Sequence, residues 1–191
     1  MLKKNILWLI IIVIVIISVV KLGEFFKTHV VEADATKFVI EDLHSKYPKA
    51  DIEIISVQEF VNEKNEKYFE IKAKVTNGQG GPCPERVHLF YNYPIQNFVP
   101  RQPEIITTNC SVCSENFCVL AFPEEALIAS HTFPGTESVA SYLRLYSDVY
   151  GVARDVGDGW EVKWDSPSSS SYYIVNILKN NTVASVKKFD K

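Results

Sequence analysis

Hydrophobic positions are concentrated at the start of the chain, where residues 6–20 contain no charged side chain. Lysines flank this run on both sides, and a few further apolar residues follow it. A helix that spans a bilayer needs roughly 20 mostly apolar residues. The pattern therefore predicts an N-terminal membrane anchor, residues 1–28, with residues 6–22 in contact with the lipid bilayer.

A cleaved signal peptide is one alternative interpretation of this segment, and a buried core helix is another. Residues 18–21 form a poor cleavage site, because signal peptidase prefers small side chains directly after the apolar run. Lys3 and Lys4 precede the run, and basic residues favour the cytoplasmic side of a membrane. We therefore expect a single-pass cell-membrane protein with a cytoplasmic N-terminus and an extracytoplasmic C-terminal domain.

The chain after this segment first shows the periodicity of one helix followed by three strands. Apolar residues at helical spacing precede Pro48, which ends the helix because proline cannot continue it. The clearest strand comes later, because the apolar residues from Phe69 to Val75 alternate with polar ones. The predicted elements are a helix over 34–47 and strands over 51–61, 68–75 and 86–93.

The C-terminal part repeats this order of elements. Apolar positions at helical spacing follow Gly135, and apolar strands follow the helix. The predicted elements are a helix over 136–147 and strands over 160–164, 172–178 and 182–189. We therefore predict an α+β fold built from two helix-plus-antiparallel-meander units of the order α-β-β-β. A single α+β domain without duplication is the alternative.

The segment between the two units contains three of the four cysteines and several prolines, with one helical turn predicted over 124–130. We interpret it as a connecting arm that the cysteines hold in place. The predicted organisation is an anchor (1–28), a first αβββ unit (29–93), a Cys-bearing arm (94–135) and a second αβββ unit (136–191).

Five short segments resemble the PepSY domain and related cystatin-like modules. They are residues 47–50 (YPKA), 67–73 (KYFEIKA), 159–164 (GWEVKW), 172–175 (YYIV) and 181–183 (NTV). The resemblance implies a helix packed on a curled antiparallel meander. It also implies an extracytoplasmic module that binds or restrains peptidases, and it brings no catalytic residue with it.

The composition of the chain after the predicted anchor argues against a nucleic-acid partner. Residues 29–191 keep 16 of the 20 Lys and Arg and 22 of the 23 Asp and Glu, which gives a net charge of −6. Nucleic-acid binding requires clustered basic residues, so no nucleic-acid partner is expected. An aromatic content of 12% favours a folded domain over a disordered stalk.

Four cysteines, Cys83, Cys110, Cys113 and Cys118, are the residues with the most distinctive chemistry. An even number outside the cytoplasm favours two disulfides. A Cys110–Cys113 link would close a very short loop and stabilise little. The pairing Cys83–Cys110 with Cys113–Cys118 is therefore favoured, and the other pairings stay open.

Two alternatives use the same cysteines differently. A zinc site with all four thiolates is one, although zinc ribbons prefer two paired C-x2-C motifs and Cys83 has no such neighbour. Thiol redox chemistry at Cys110 and Cys113 is the other. A reactive thiolate needs a basic neighbour or a helix N-terminus, and Glu115 has the wrong charge.

The remaining motifs indicate no catalysis and no cofactor. The four histidines, His29, His44, His88 and His131, form no metal-binding spacing in sequence and are assigned structural or surface roles. Asn109 and Asn180 begin N-x-S/T sequons and are candidate glycosylation acceptors. Trp160 and Trp164 are predicted core residues.

The sequence as a whole predicts a membrane-anchored binding or interaction module without its own enzymatic activity, whose partner is a protein or peptide. An envelope enzyme or thiol-redox helper that uses Cys110 and Cys113 is the alternative. A third interpretation is a pilin-like structural subunit, since an apolar N-terminal helix that leads into a β-rich head is the pilin layout.

Overall fold

The computed structural model describes residues 12–18, 31–97, 99, 101–112 and 119–191. Residues 12–18 are helical and exposed. Within the described ranges, no helix has both the length and the apolar character needed to cross a bilayer. Most of the predicted anchor, residues 1–28, lies outside the described residues, and its contact with lipid stays a prediction.

Beyond residue 31 the described chain contains three helices and eight strands. The helices are α1 (Glu32–Lys46), α2 (Pro123–Thr132) and α3 (Glu137–Leu145). The strands are β1 (Asp51–Val61), β2 (Lys67–Asn77), β3 (Glu85–Tyr93), β4 (Glu104–Thr107), β5 (Tyr150–Asp155), β6 (Gly159–Asp165), β7 (Ser171–Leu178) and β8 (Val183–Asp190). They form two antiparallel sheets of orders β1-β2-β3-β4 and β5-β6-β7-β8. The predicted α+β class with two antiparallel meanders is therefore confirmed, and each meander has four strands.

The core of the first unit lies between α1 and one face of the first sheet. The helix buries a stripe at a spacing of four residues, and β2 buries every second residue, as the two periodicities require. The buried members are Ala35, Val39, Leu43, Phe69, Ile71, Ala73 and Val75. The alternation predicted for β2 thus decides which face of the sheet the helix covers.

The second unit packs α2 and α3 against the second sheet. Pro123 begins α2, and the Glu125 carboxylate accepts hydrogen bonds from the backbone N–H groups of Ala121 and Phe122, which closes the start of the helix. Trp160 and Trp164 are buried, as predicted. The other buried members of this core are Leu120, Ala126, Leu127, Ala129, Val139, Tyr142, Val162, Val175 and Ile177.

Each sheet contains one strand more than the three predicted. In the first sheet the addition is β4, which lies within the predicted arm 94–135 and pairs with β3. In the second sheet it is β5, which contains a glycine and charged residues and pairs with β6. The predicted helical turn over 124–130 is the middle of α2. The structure thus divides the described part of the arm between the two units.

A buried ion pair joins the two units. On the face of the first sheet opposite α1, Arg86 donates from Nη1 to Glu124 Oε2 at 2.8 Å, and both side chains are less than a tenth exposed. Thr76 donates to the other carboxylate oxygen of Glu124 at 3.2 Å. The Arg86 guanidinium also lies 3.9 Å above the centre of the Phe122 ring. The start of α2 is therefore held on the first sheet by charge, hydrogen bonds and cation–π contact.

His88 extends this buried polar cluster toward the surface. Arg86 donates from Nε to His88 Nε2 at 3.0 Å, so this ring nitrogen is an acceptor and Nδ1 carries the proton toward Glu104, 3.4 Å away. Burial lowers the pKa of His88, which favours the neutral ring that this arrangement needs. Glu104 also accepts from Lys72 at 2.8 Å and Arg101 at 2.7 Å.

A close backbone contact adds to the junction between the units. Gly151 N–H donates to the carbonyl oxygen of Gly80 at 2.7 Å. Gly80 has a φ of +74°, and a Cβ there would lie 1.8 Å from the ring of Tyr150. Glycine is favoured here, because the left-handed backbone strains other residues and a side chain would displace the exposed Tyr150 ring.

Tyr91 links the first sheet to α1, and its hydroxyl makes the stability of the folded protein pH-dependent in alkaline solution. Its hydroxyl donates to Asp42 Oδ2 at 2.8 Å. Burial, together with this hydrogen bond, raises the pKa of Tyr91 to about 12. An unfolded tyrosine loses its proton near pH 10, so the folded state retains a proton that the unfolded state releases. We expect stability to fall as pH rises from about 10 toward about 12.

Tyr91→Phe is expected to remove this part of the alkaline loss. Urea unfolding midpoints of both proteins across that pH range measure it. Parallel declines in the two proteins would show that another group is responsible.

Candidate functional site

A groove of about 1700 Å³ opens at one end of the first unit. Its walls are the β1–β2 hairpin, the segment after β3 and the start of α1. The lining residues are Val31, Glu32, Glu59, residues 61–69 and residues 94–97. No prediction made from the sequence placed a site here, because the groove arises where three separated segments meet.

Asn62 holds two of these walls together. Its side-chain oxygen accepts from the backbone N–H groups of Lys64 at 3.0 Å and Glu66 at 2.9 Å, which shapes the hairpin turn. Its amide nitrogen donates to Gln96 Oε1 at 3.1 Å. Gln96 in turn donates to the carbonyl oxygen of Pro94 at 2.9 Å. The hairpin and the segment after β3 are thus coupled by side-chain hydrogen bonds.

The groove lining includes exposed apolar side chains. Val31, Val61 and Ile95 are 46%, 54% and 82% exposed, although each has large apolar surface. Phe60 and Tyr68 stack on the same hairpin with ring centres 5.6 Å apart. Contiguous exposed apolar surface of this kind marks interaction sites more often than isolated surface residues do.

Acidic residues outnumber basic ones around the groove. The lining contains Glu32, Glu59, Glu63, Glu66, Lys64 and Lys67, a net charge of −2. Lys67 is paired with Glu59 at 2.7 Å. The potential at the rim is therefore negative, which favours a basic ligand.

The predicted Cys83–Cys110 disulfide is present, and it lies at the junction of the two units. Cys83 precedes β3 and Cys110 follows β4, so the bond closes one end of this strand pair. His131 on α2 donates from Nε2 to the carbonyl oxygen of Pro82 at 2.7 Å, and the same nitrogen lies 4.0 Å from Cys110 Sγ. No sequence pattern predicted that His131 would meet these cysteines, since 21 residues separate it from the nearer one.

The alternatives for the cysteines are limited by this bond. Cys113 and Cys118 lie outside the described residues, and so do their predicted pairing and the redox partner proposed for Cys110. A zinc site with four thiolates cannot form while Cys83 and Cys110 are bonded to each other.

The other predicted positions lie on the surface or in the core. Asn109 and Asn180 are both exposed in turns, so both are accessible as glycosylation acceptors. His44 is exposed on α1, whereas His88 is buried in the polar cluster. His29 lies outside the described residues.

Comparison with known proteins assigns no family. No family model and no curated protein matches the chain. Among solved structures, a "putative lipoprotein" from Clostridium difficile is 12% identical, with 79% of this chain and 90% of that chain covered. The TM-score of this match is 0.19. The resemblance to PepSY and cystatin-like modules stays a prediction from the sequence.

Proposed function

We propose that this protein is a membrane-anchored extracytoplasmic binding module whose groove holds an extended peptide segment of a partner protein. The groove itself supports this proposal most strongly. Its volume of about 1700 Å³ exceeds the roughly 300–1,000 Å³ of most small-molecule sites. An extended segment of several residues fills such a space better than a metabolite does.

The lining favours a particular peptide chemistry. Apolar surface from Val31, Val61 and Ile95 favours apolar side chains in the ligand. The acidic rim favours Lys or Arg between them, because opposite charges speed encounter and exclude acidic competitors. The ligand proposed is therefore a peptide in which apolar and basic residues alternate.

The predicted anchor supports a location for this partner. Val31 lies on the groove and follows Leu22, the last residue of the predicted span, by nine positions. Nine residues extend over roughly 30 Å at most. The groove would lie close to the membrane surface, and the PepSY resemblance suggests an envelope peptidase as the partner.

Two labelled peptides test the proposal, one with alternating Val and Lys and one with Glu in place of Lys. We expect the basic peptide to bind the full chain in detergent more tightly, with an affinity that falls as salt rises. Ile95→Ala should weaken binding about tenfold or more, because the apolar contact of the isoleucine side chain with the peptide is lost and the charge of the groove is unchanged. Fluorescence anisotropy measures both effects.

Ile105→Ala is the matched control. Ile105 is also an exposed isoleucine, at 66%, but it lies on β4 and not among the groove residues. Equal affinity for the two peptides, or equal loss in the two variants, would contradict the proposed site.

A further inference from the structure

Three potential metal ligands meet where α2 touches the first unit. The Sγ atoms of Cys83 and Cys110 and a ring nitrogen of His131 all lie within 4.8 Å of one another. They come from the loop before β3, the turn after β4 and the second unit, so the fold and not the local sequence brings them together. Two sulfurs and an imidazole form a donor set that zinc prefers.

We propose that reduction of the Cys83–Cys110 disulfide creates a zinc site in which both thiolates and the His131 imidazole are ligands. Tetrahedral zinc with Zn–S of about 2.3 Å and Zn–N of about 2.0 Å places sulfur and nitrogen about 3.5 Å apart. His131 Nε2 is already 4.0 Å from Cys110 Sγ. The two sulfurs must separate and the Cys110–His131 distance must shorten by about 0.5 Å, and rotation of the cysteine side chains allows both once the bond between the sulfurs is broken.

The ring of His131 packs against the core of the second unit. Its ring contacts Trp164 edge to face, with centres 6.0 Å apart. Burial lowers the pKa of His131, which favours the neutral imidazole that binds metals. On binding, the ring proton moves from Nε2 to Nδ1 by exchange with solvent, and Nε2 binds the metal in place of the Pro82 carbonyl oxygen. Pro82 is an exposed residue, so its carbonyl can bond to water instead.

The fourth coordination position faces solvent, because Cys83 is exposed. Three protein ligands with an open position are the arrangement in which zinc keeps a water molecule. The site therefore differs from the closed four-thiolate site considered from the sequence, and it does not require Cys113 or Cys118.

The chemistry of formation is thiol–disulfide exchange with a dithiol as reductant. One thiolate of the dithiol attacks a sulfur of the disulfide and forms a mixed disulfide, and its second thiol then releases the protein. Two electrons and two protons pass to Cys83 and Cys110, and the dithiol becomes a disulfide. Zinc then displaces the two thiol protons as it binds.

The test uses the full chain with Cys113→Ser and Cys118→Ser, in detergent, reduced by a phosphine. Co²⁺ serves as the spectroscopic probe and Zn²⁺ as its competitor. We expect one Co²⁺ per chain with a thiolate charge-transfer absorption, and no binding before reduction. His131→Gln should weaken Zn²⁺ affinity at least about tenfold, since even residues that only support ligands contribute that much.

His44→Gln is the matched control, because His44 is an exposed histidine on α1. Failure of the reduced protein to bind Co²⁺, or equal affinity in the two histidine variants, would overturn the proposal. If His131→Gln does not fold, the test is made on the protein that retains both histidines. Nitrogen NMR of the His131 ring then shows whether this ring binds Zn²⁺. A ring-nitrogen shift on Zn²⁺ addition is expected, and an unchanged signal overturns the site.

Discussion

Replacing Trp164 by Ala is expected to lower the free energy of unfolding by about 3–5 kcal/mol. The side chain is fully buried in the core of the second unit. Its ring packs against Gly151, where a Cβ would lie 2.4 Å from it, so this glycine offers no side chain to fill the space left behind. Its indole N–H donates to Ser130 Oγ at 2.7 Å, and that hydrogen bond is lost as well. Urea unfolding followed by circular dichroism measures the loss.

Trp164→Phe is the comparison for this variant. It retains most of the apolar surface and removes the hydrogen bond, while Ser130 still donates to the Leu127 carbonyl oxygen at 2.7 Å. We therefore expect a smaller loss than with alanine. A loss below about 1 kcal/mol for alanine would mean that the core of the second unit collapses around the site.

Glu124→Gln is expected to lower the free energy of unfolding by about 3–5 kcal/mol, because it leaves the Arg86 guanidinium buried without its paired carboxylate. Both side chains are almost inaccessible to water, so solvent cannot replace the lost carboxylate. The amide keeps the shape of the glutamate, and thus the loss reports charge and not packing. Chemical denaturation of both proteins at neutral pH measures the difference.

A double variant distinguishes the stability that the ion pair contributes from the destabilisation caused by one buried, unpaired charge. Arg86→Met with Glu124→Leu removes both charges and fills similar volume. It should recover most of the stability, since apolar replacements of buried ion pairs are often neutral or stabilising. If the double variant loses as much as Glu124→Gln alone, the contribution lies in the hydrogen bonds to Thr76 and His88, not in the charge balance.

Strong periodicity made part of this fold predictable. The run from Phe69 to Val75 alternates without exception, and β2 buries these apolar positions against α1. The C-terminal end of α1 was predictable from Pro48, because proline cannot continue a helix. The β1 range was predicted to the residue. The Cys83–Cys110 bond was the favoured one among the three pairings that four cysteines allow, although the sequence left the other pairings open.

Other features depend on contacts between distant segments and left no local pattern. Strand β4 has four residues, too few for alternation to be recognised. Arg86 and His88 occupy the alternate face of β3, which the sequence suggests is solvated, yet α2 covers it. The groove and the meeting of His131 with the cysteines likewise arise from tertiary packing. Arg86 and His88 alternate with Val87 and Leu89 in the sequence, but β3 becomes a central strand only through its pairing with β4, so this alternation did not reveal the buried ion pair.

The sequential order of strands in both sheets has a consequence for how the chain folds. Each strand pairs with its neighbour along the chain, so most backbone pairing closes short loops at low entropic cost. The first meander can form while later residues are still emerging from the ribosome or a translocation channel. The pairing of Glu124 with Arg86 then becomes a late docking step in folding. Until this step occurs, Arg86 lies on an open face of the first sheet without its carboxylate partner.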